Sequence, residues 1–408
     1  MTTQPLSTPE HWALDPSTLN LDHGAFGATP MPVRRAQQDI LRRVDDNRTR
    51  FFIRDLEPLL EEARDALAHY VASDPGNIVW VPNATAGVST VLRSLRFEAG
   101  DELLVLNHSY SACINAFEFI ASQHGATMRT IDLPLPIASE QEVVDLILNA
   151  VSDRTRLLLL DHITSPTGLI LPIEPIVRQL ESRAVRVLVD GAHGPGMVPL
   201  ELDALGASFY TGNCHKWICA PVGSAFLHVR EDLHDQILPM PISHRGHGVR
   251  TDKSRLLVDF DWVGTDDVSP YLVVPHAIEW GRSCLEGGWD AIRAHNRALA
   301  LEARRVLLDA LGSEPIAPES MIGSLAAVRI PDGTPEPKPW PTYTDPTQRA
   351  LYERHAIEVP IGHFPAPPHR TMRISAQLYN SVQQYETLAR ALVDVLESEG
   401  TPVTPAHA

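Results

Sequence analysis

The 408-residue chain reads as an α/β protein with a mostly parallel sheet. Three observations predict it. Between about residues 56 and 229, short β-rich runs alternate with helical patterns, as βα units do. Two runs, "RTRLLLLDHI" (154–163) and "VRVLVD" (185–190), are almost continuously apolar, as strands covered on both faces must be. Beyond the proline-dense "IPDGTPEPKPWPTYTDPTQ" (330–348) the pattern becomes helix, strand, helix, which suggests a smaller α+β unit.

In chain order, "NIVWVPN" (77–83) is a strand that meets a turn. In "TAGVSTVLRSL" (85–95), Val88, Val91, Leu92 and Leu95 fall at helical spacing. "ELLVLN" (102–107) and "ATMRTIDL" (126–133) are the next strands, followed by the two apolar runs and by "SAFLHV" (224–229). After residue 348, "RALYERHAIEVP" and "YETLARALVDVLE" read as helical, with "TMRISAQLY" as a strand between them. "GTPVTPAHA" reads as a frayed tail. In such sheets ligands gather at the carboxyl ends of strands. That rule selects Asn83 to Thr85, Asn107 to Tyr110, His162 to Ser165 and Asp190 to His193.

Composition narrows the class. Apolar residues make up 44% and charged residues 21%, so a large core can form. A net charge of −17 argues against a nucleic-acid partner. Four cysteines are too few for a disulfide scaffold. The N-terminus lacks a basic start and an apolar stretch, and no run is long enough to span a membrane. A cytoplasmic protein without a membrane partner is the expectation.

Lys216 lies in "YTGNCHKWICAPVGSAFLHV" (210–229), followed at once by Trp217, Ile218, Cys219 and Ala220. A lysine desolvated in this way has a lowered pKa and becomes nucleophilic. Asp190 ends an apolar strand; alone it reads as a helix cap or a salt-bridge partner. Together the two suit pyridoxal 5′-phosphate, which bonds to a lysine and needs a carboxylate at its ring nitrogen. Phosphate donors are then available in "NATAGVST", from the backbone at Ala84 and the hydroxyl of Thr85, and beside the lysine in Asn213 and His215. Thr85 also reads as a helix N-cap. "CHKWIC" has no second ligand pair, so its cysteines read as packing residues and no metal site is expected. "SHRGHG" (243–248) holds no two histidines on one helix face and reads as a loop at the site's mouth.

The chain resembles the class V aminotransferase family of fold-type I pyridoxal-phosphate enzymes. "LNLDHGAFGATP" (19–30), "NATAGV", "VDGAHGPG", "YTGNCHKW" and "MRISAQLYN" carry the likeness, in order, over nearly the whole chain. Within the family it looks most like the isopenicillin N epimerase-like branch, with its ergothioneine- and lincosamide-pathway C–S lyases. The resemblance implies a large domain with a mostly parallel seven-stranded sheet (31–270), a small α+β C-terminal domain (271–408), and an N-terminal segment (1–30) packed near the active site. It implies Lys216 as the Schiff-base lysine, Asp190 at the pyridine nitrogen, and His193 near the ring's 3-hydroxyl. Tyr110 would cover the ring, Ser165 would lie on its substrate side, and Thr85, Asn213 and His215 would hold the phosphate. Thr265 would reach the phosphate of a neighbouring subunit, so a homodimer with shared sites is implied. Arg373 would grip the substrate α-carboxylate, a task suited to a planar guanidinium. His23 would lie near the substrate, though a turn histidine is an equal reading.

The sequence departs from the family in two places. Cysteine desulfurases carry a reactive cysteine before the arginine strand, where this chain has "VPIGHFPAPPHR". Asn213 stands where many relatives have serine. The expected reaction begins with proton removal from the substrate Cα by Lys216. A C–S β-lyase acting on a cysteine S-conjugate is favoured, with Tyr110 as acid for the departing sulfur. The alternatives are an amino-acid epimerase and an enzyme that decarboxylates and oxidatively deaminates such a conjugate.

Overall fold

A computed structural model describes residues 9–243, 250–333 and 345–401. Residues 244–248 of "SHRGHG" and most of the proline-dense segment therefore lie outside the described residues. Twelve strands occur among the described residues. They are β1 (Leu19–Asn20), β2 (Ile78–Val81), β3 (Glu102–Leu106), β4 (Thr127–Ile131), β5 (Thr155–Asp161), β6 (Arg186–Asp190), β7 (Phe209–Asn213), β8 (Ala225–Val229), β9 (Leu325–Ile330), β10 (Ile357–Glu358), β11 (Ile361–His363) and β12 (Arg370–Ser375).

Seven of them form the main sheet, in the order β2-β8-β7-β6-β5-β3-β4. All its pairings are parallel except those of β8, which runs antiparallel to both β2 and β7. The fold is thus the α/β, mostly parallel seven-stranded architecture expected. β6 buries Val187, Leu188 and Val189 completely, because apolar neighbours cover both faces. After β4 the chain crosses to the other side of β3, so the strand order reverses between β3 and β5. Such a reversal opens a crevice at the strands' carboxyl ends. Asp161, Asp190 and Asn213 all stand there, as the last residues of β5, β6 and β7.

A second, antiparallel sheet has the order β11-β12-β9. Helices Gly288–Leu311 and Val382–Ser398 pack together, and the first also packs on β9. Ser381 and Gln384 form a capping box that starts the last helix. One expectation is corrected here. "RALYERHAIEVP" is not helical throughout: the helix Pro346–His355 stops at Ala356, which has φ +54°, and Ile357–Glu358 becomes β10. A left-handed residue ends a helix because the next carbonyl can no longer join its ladder.

β10 pairs in parallel with β1 as a separate two-stranded sheet, and the N-terminal segment meets the second sheet at Ser375 of β12. Ser375 N–H donates to Leu21 O at 2.9 Å, and Gly24 N–H donates to Ser375 Oγ at 3.0 Å. The segment then passes against the backbone of the lysine turn. Gly27 has φ +76°, and a Cβ there would sit 1.8 Å from His215 O. Only glycine meets both conditions.

Candidate active site

Lys216 follows β7 by three residues and is half-buried. Its carbonyl accepts from Cys219 N–H at 3.2 Å and lies 3.0 Å from His23 Nε2. Cys219 has φ +64°, an uncommon conformation for a residue with a Cβ. The turn is therefore fixed from both sides. Burial, then the Arg373 guanidinium, pulls the Lys216 ammonium down to about 8.

The amine's hydrogen-bonding neighbour is His193, with Nε2 at 3.2 Å. The indole N–H of Trp217 donates to His193 Nδ1, also at 3.2 Å. An indole can only donate, so Nδ1 holds a lone pair and the neutral ring carries its proton on Nε2. That N–H donates to Lys216 Nζ only when the amine is unprotonated. Burial, then Lys216, holds the imidazolium form of His193 well below its usual range. Geometry and electrostatics thus both favour a neutral lysine.

Asp190 is buried, and its Oδ1 accepts from Ala192 N–H at 3.0 Å. Its Oδ2 lies 3.4 Å from Cys113 Sγ. Asp161, in register with it on β5, had no place in the sequence reading. The Ser109 hydroxyl donates to Asp161 Oδ2. Burial, then Asp190, holds the Asp161 carboxyl well above the usual carboxylate range. Burial also raises Asp190, but Lys216 opposes it. Two buried carboxylates side by side do not both carry full charge, and the Lys216 charge favours the anion on Asp190.

The helix Ala84–Ser94 begins where β2 ends. Its N-cap is Asn83, whose side chain accepts from Ala86 N–H at 2.9 Å, rather than Thr85. Ala84 N–H donates to Asn213 Oδ1 at 2.9 Å. Asn213 thus uses its oxygen to dock the helix on β7, which leaves its Nδ2 as donor. Thr85 is the second residue of this helix and is half-buried. His215 Nδ1 lies 2.9 Å from Ser224 O, so it carries the proton and the neutral ring's Nε2 is an acceptor. Burial lowers His215 to about 4. It would donate to a phosphate only after taking up a proton from solvent, which the nearby anion favours.

Arg373 on β12 reaches across to the main sheet. Its Nη1 donates to Ser165 O at 2.6 Å, and its Nη2 to Asp22 Oδ1 at 3.1 Å. Its Nε is buried without a hydrogen-bond partner. Tyr110 caps the helix Ser111–His124 and is 46% exposed, at the carboxyl end of β3. Thr265 is exposed, and among the described residues no hydrogen bond joins it to the groups above.

The substrate contact expected of His23 is not what the structure places there. Its ring is buried, with Nδ1 3.0 Å from the Tyr379 hydroxyl and Nε2 on Lys216 O. Nε2 thus supports the turn beneath the lysine while Nδ1 meets Tyr379, and burial lowers the ring to about 4. The residue that faces Arg373 is its neighbour Asp22, which the sequence reading passed over. An acid directly before His-Gly in "LDHGAFG" was the available signal.

A desolvated amine, a buried carboxylate on the adjacent strand, a helix N-terminus and an unpartnered guanidinium N–H converge at one crevice. This donor set fits pyridoxal 5′-phosphate, and the fold with this site defines a fold-type I pyridoxal-phosphate enzyme. Residues 20–388 match the family described as aminotransferase class-V, and the chain belongs to it. The isopenicillin N epimerase of Streptomyces clavuligerus is 33% identical over 95% of this chain and 96% of its own. A probable chloroplastic L-cysteine desulfhydrase of Arabidopsis thaliana is 30% identical over 93% of this chain and 83% of its own. Among solved structures, a lysine-to-alanine mutant of C-DES with glycine covalently linked to its PLP cofactor superposes with a TM-score of 0.81. It is 21% identical and covers 95% of this chain and 99% of its own. The chain's cofactor is pyridoxal 5′-phosphate. Among the described residues no helix is long and apolar enough to cross a membrane.

Proposed function

We propose that the chain is a C–S β-lyase that acts on a cysteine S-conjugate and releases its sulfur as a free thiol. The placement of the thiols carries this reading. Cys113 lies beneath Asp190, Cys214 and Cys219 are buried in the lysine turn, and Cys284 ends the helix Val274–Ser283. Burial raises all four. The stretch that carries a reactive cysteine in desulfurases is here the β11–β12 hairpin. Phe364, the residue directly after β11, is buried, with its ring centroid 4.3 Å from that of His108. No thiolate is placed to take sulfur from a substrate, so the sulfur leaves with a product.

Bound at this crevice, the cofactor supplies an electron sink that makes the substrate's Cα–H acidic. Asp190 would hold the charge that its ring nitrogen needs, and Thr85, Asn213 Nδ2 and a protonated His215 would bind its phosphate; the Ala84 N–H, expected to do so, is already given to Asn213 Oδ1. Arg373 binds the α-carboxylate, held in place by the Ser165 carbonyl. Lys216 Nζ then takes the Cα proton, and the neutral His193 ring keeps that amine oriented. Tyr110 gives a proton to the departing sulfur. Thr265 serves the neighbouring copy in a homodimer, and two exposed apolar residues beside the lysine turn support that assembly. Phe26 is 76% exposed and Val222 69%.

The test is incubation of the loaded enzyme with a panel of cysteine S-conjugates. Equal release of pyruvate, ammonia and thiol is expected. Uptake of solvent deuterium at Cα with sulfur retained would instead establish an epimerase, the reading favoured by the Streptomyces relative.

A further inference from the structure

The guanidinium assigned to the substrate carboxylate already holds a carboxylate. Asp22 Oδ1 accepts from Arg373 Nη2 at 3.1 Å, and the two side chains are only 13% and 10% exposed. The pair is local and neutral: one cation, one anion, both out of water. Arg373 Nη1 is engaged with Ser165 O, and Nε is buried and unpartnered. Nε and Nη2 form the side edge of the guanidinium, which takes a carboxylate in a bidentate fork. A ligand carboxylate on that edge meets the Nη2 hydrogen bond that Asp22 now accepts.

We propose that Asp22 is the resident occupant of the Arg373 seat, and that a substrate α-carboxylate displaces it as Asp22 takes up one proton. The proposal rests on the reading of Arg373 as the α-carboxylate clamp. Its physical basis is charge. Two carboxylates on one buried guanidinium leave an unpaired negative charge in a poorly hydrated crevice, which is costly. A proton from solvent, bonded to an Asp22 oxygen, restores neutrality, and no other bond changes. The groups facing Asp22 are Arg373 on β12, Lys216 in the turn after β7, Glu358 on β10, the Tyr379 hydroxyl and the adjacent His23. Burial raises the Asp22 carboxyl above its usual range, with Arg373 and then Lys216 opposing. Once a ligand neutralises Arg373, the main opposing charge is lost and protonation follows. Asp22 thereby sets a threshold: the site admits carboxylates that bind Arg373 more tightly than the protein's own.

Propionate tests this on the holoenzyme, because it carries a carboxylate but no amine to react with the cofactor. Calorimetric titration in buffers of different ionisation enthalpy counts the protons taken up. Wild type should take up close to one proton per propionate at pH 7 to 8. Its affinity should rise as pH falls, by up to about tenfold per unit. Asp22→Asn should bind propionate about tenfold more tightly at pH 8, with no proton uptake by this route. Wild-type binding without proton uptake, and with a flat pH profile, overturns the proposal and needs no variant that must fold. Arg373→Ala separates the two levels. If it abolishes binding while wild type takes up no proton, the clamp stands and the Asp22 proposal falls. If it binds propionate as wild type does, the clamp reading falls and takes the proposal with it.

Discussion

At Lys216 the surroundings decide the chemistry. The chain holds this amine near neutrality with burial, the Arg373 charge and a histidine tautomer that offers it a hydrogen rather than a lone pair. Capture of pyridoxal phosphate needs the unprotonated amine. The rate of reconstitution of the apo-protein should therefore rise with pH through about 8, instead of near the ordinary lysine value of 10.5. Arg373→Ala removes a charge that lowers this value, so its profile should shift to higher pH; stopped-flow absorbance measures both. The stability consequence has a definite sign. The folded-state value lies below the unfolded one, so the unfolded chain binds more protons between about pH 8 and 10.5. This group's contribution to stability therefore rises with pH across that window. At pH 7 Lys216→Met should melt at a higher temperature than wild type in the apo form, while Lys216→Ala should cost turnover on the order of a thousandfold or more.

At the scale of elements, the site depends on two junctions that bring distant stretches together. Gly27 lets the N-terminal loop lie on the His215 backbone, with φ +76° and no room for a Cβ. Gly27→Ala should cost about 3 kcal/mol of stability by chemical denaturation and lower cofactor occupancy. Asn213 docks the helix Ala84–Ser94 through Ala84 N–H. Asn213→Ala should cost about 1 kcal/mol and weaken cofactor binding several-fold, whereas serine should recover part of both. These elements were legible in the sequence because their signals are local. Apolar runs marked β5 and β6, helical spacing marked 85–95, the acid ended its strand, and the lysine stood in an apolar run. The pairing of Asp22 with Arg373, 351 positions apart, leaves no local trace. Nor does the register that sets Asp161 beside Asp190. β10 was misread because "AIEVP" continues a helical pattern, and its strand character comes from pairing with β1.

At the scale of the whole molecule, a net charge of −17 repels the anionic ligands this enzyme must hold. Lys216 is held near neutrality and Arg373 is paired with Asp22, so they offset little of that charge and the phosphate needs donors beyond them. Within one chain the nearby donors are partly used up: the Ala84 N–H is given to Asn213 Oδ1, and the His215 Nδ1–H to Ser224 O. A hydroxyl from a neighbouring copy would complete the set, and Thr265 is exposed on a loop between two helices, free to serve there. If it does, function is shared across subunits, and a mixing experiment reads this directly. Neither Lys216→Ala nor Thr265→Ala homodimers hold an intact site. In a mixed dimer, one site combines Lys216 from one chain with Thr265 from the other, and its opposite site lacks both. Random reassociation at equal concentrations makes half the dimers mixed, so about a quarter of sites become wild-type in composition. At limiting pyridoxal phosphate, activity should rise on mixing toward about a quarter of the wild-type value. If Thr265 serves its own chain, no combination restores a site, and the mixture shows only the average of its two parents.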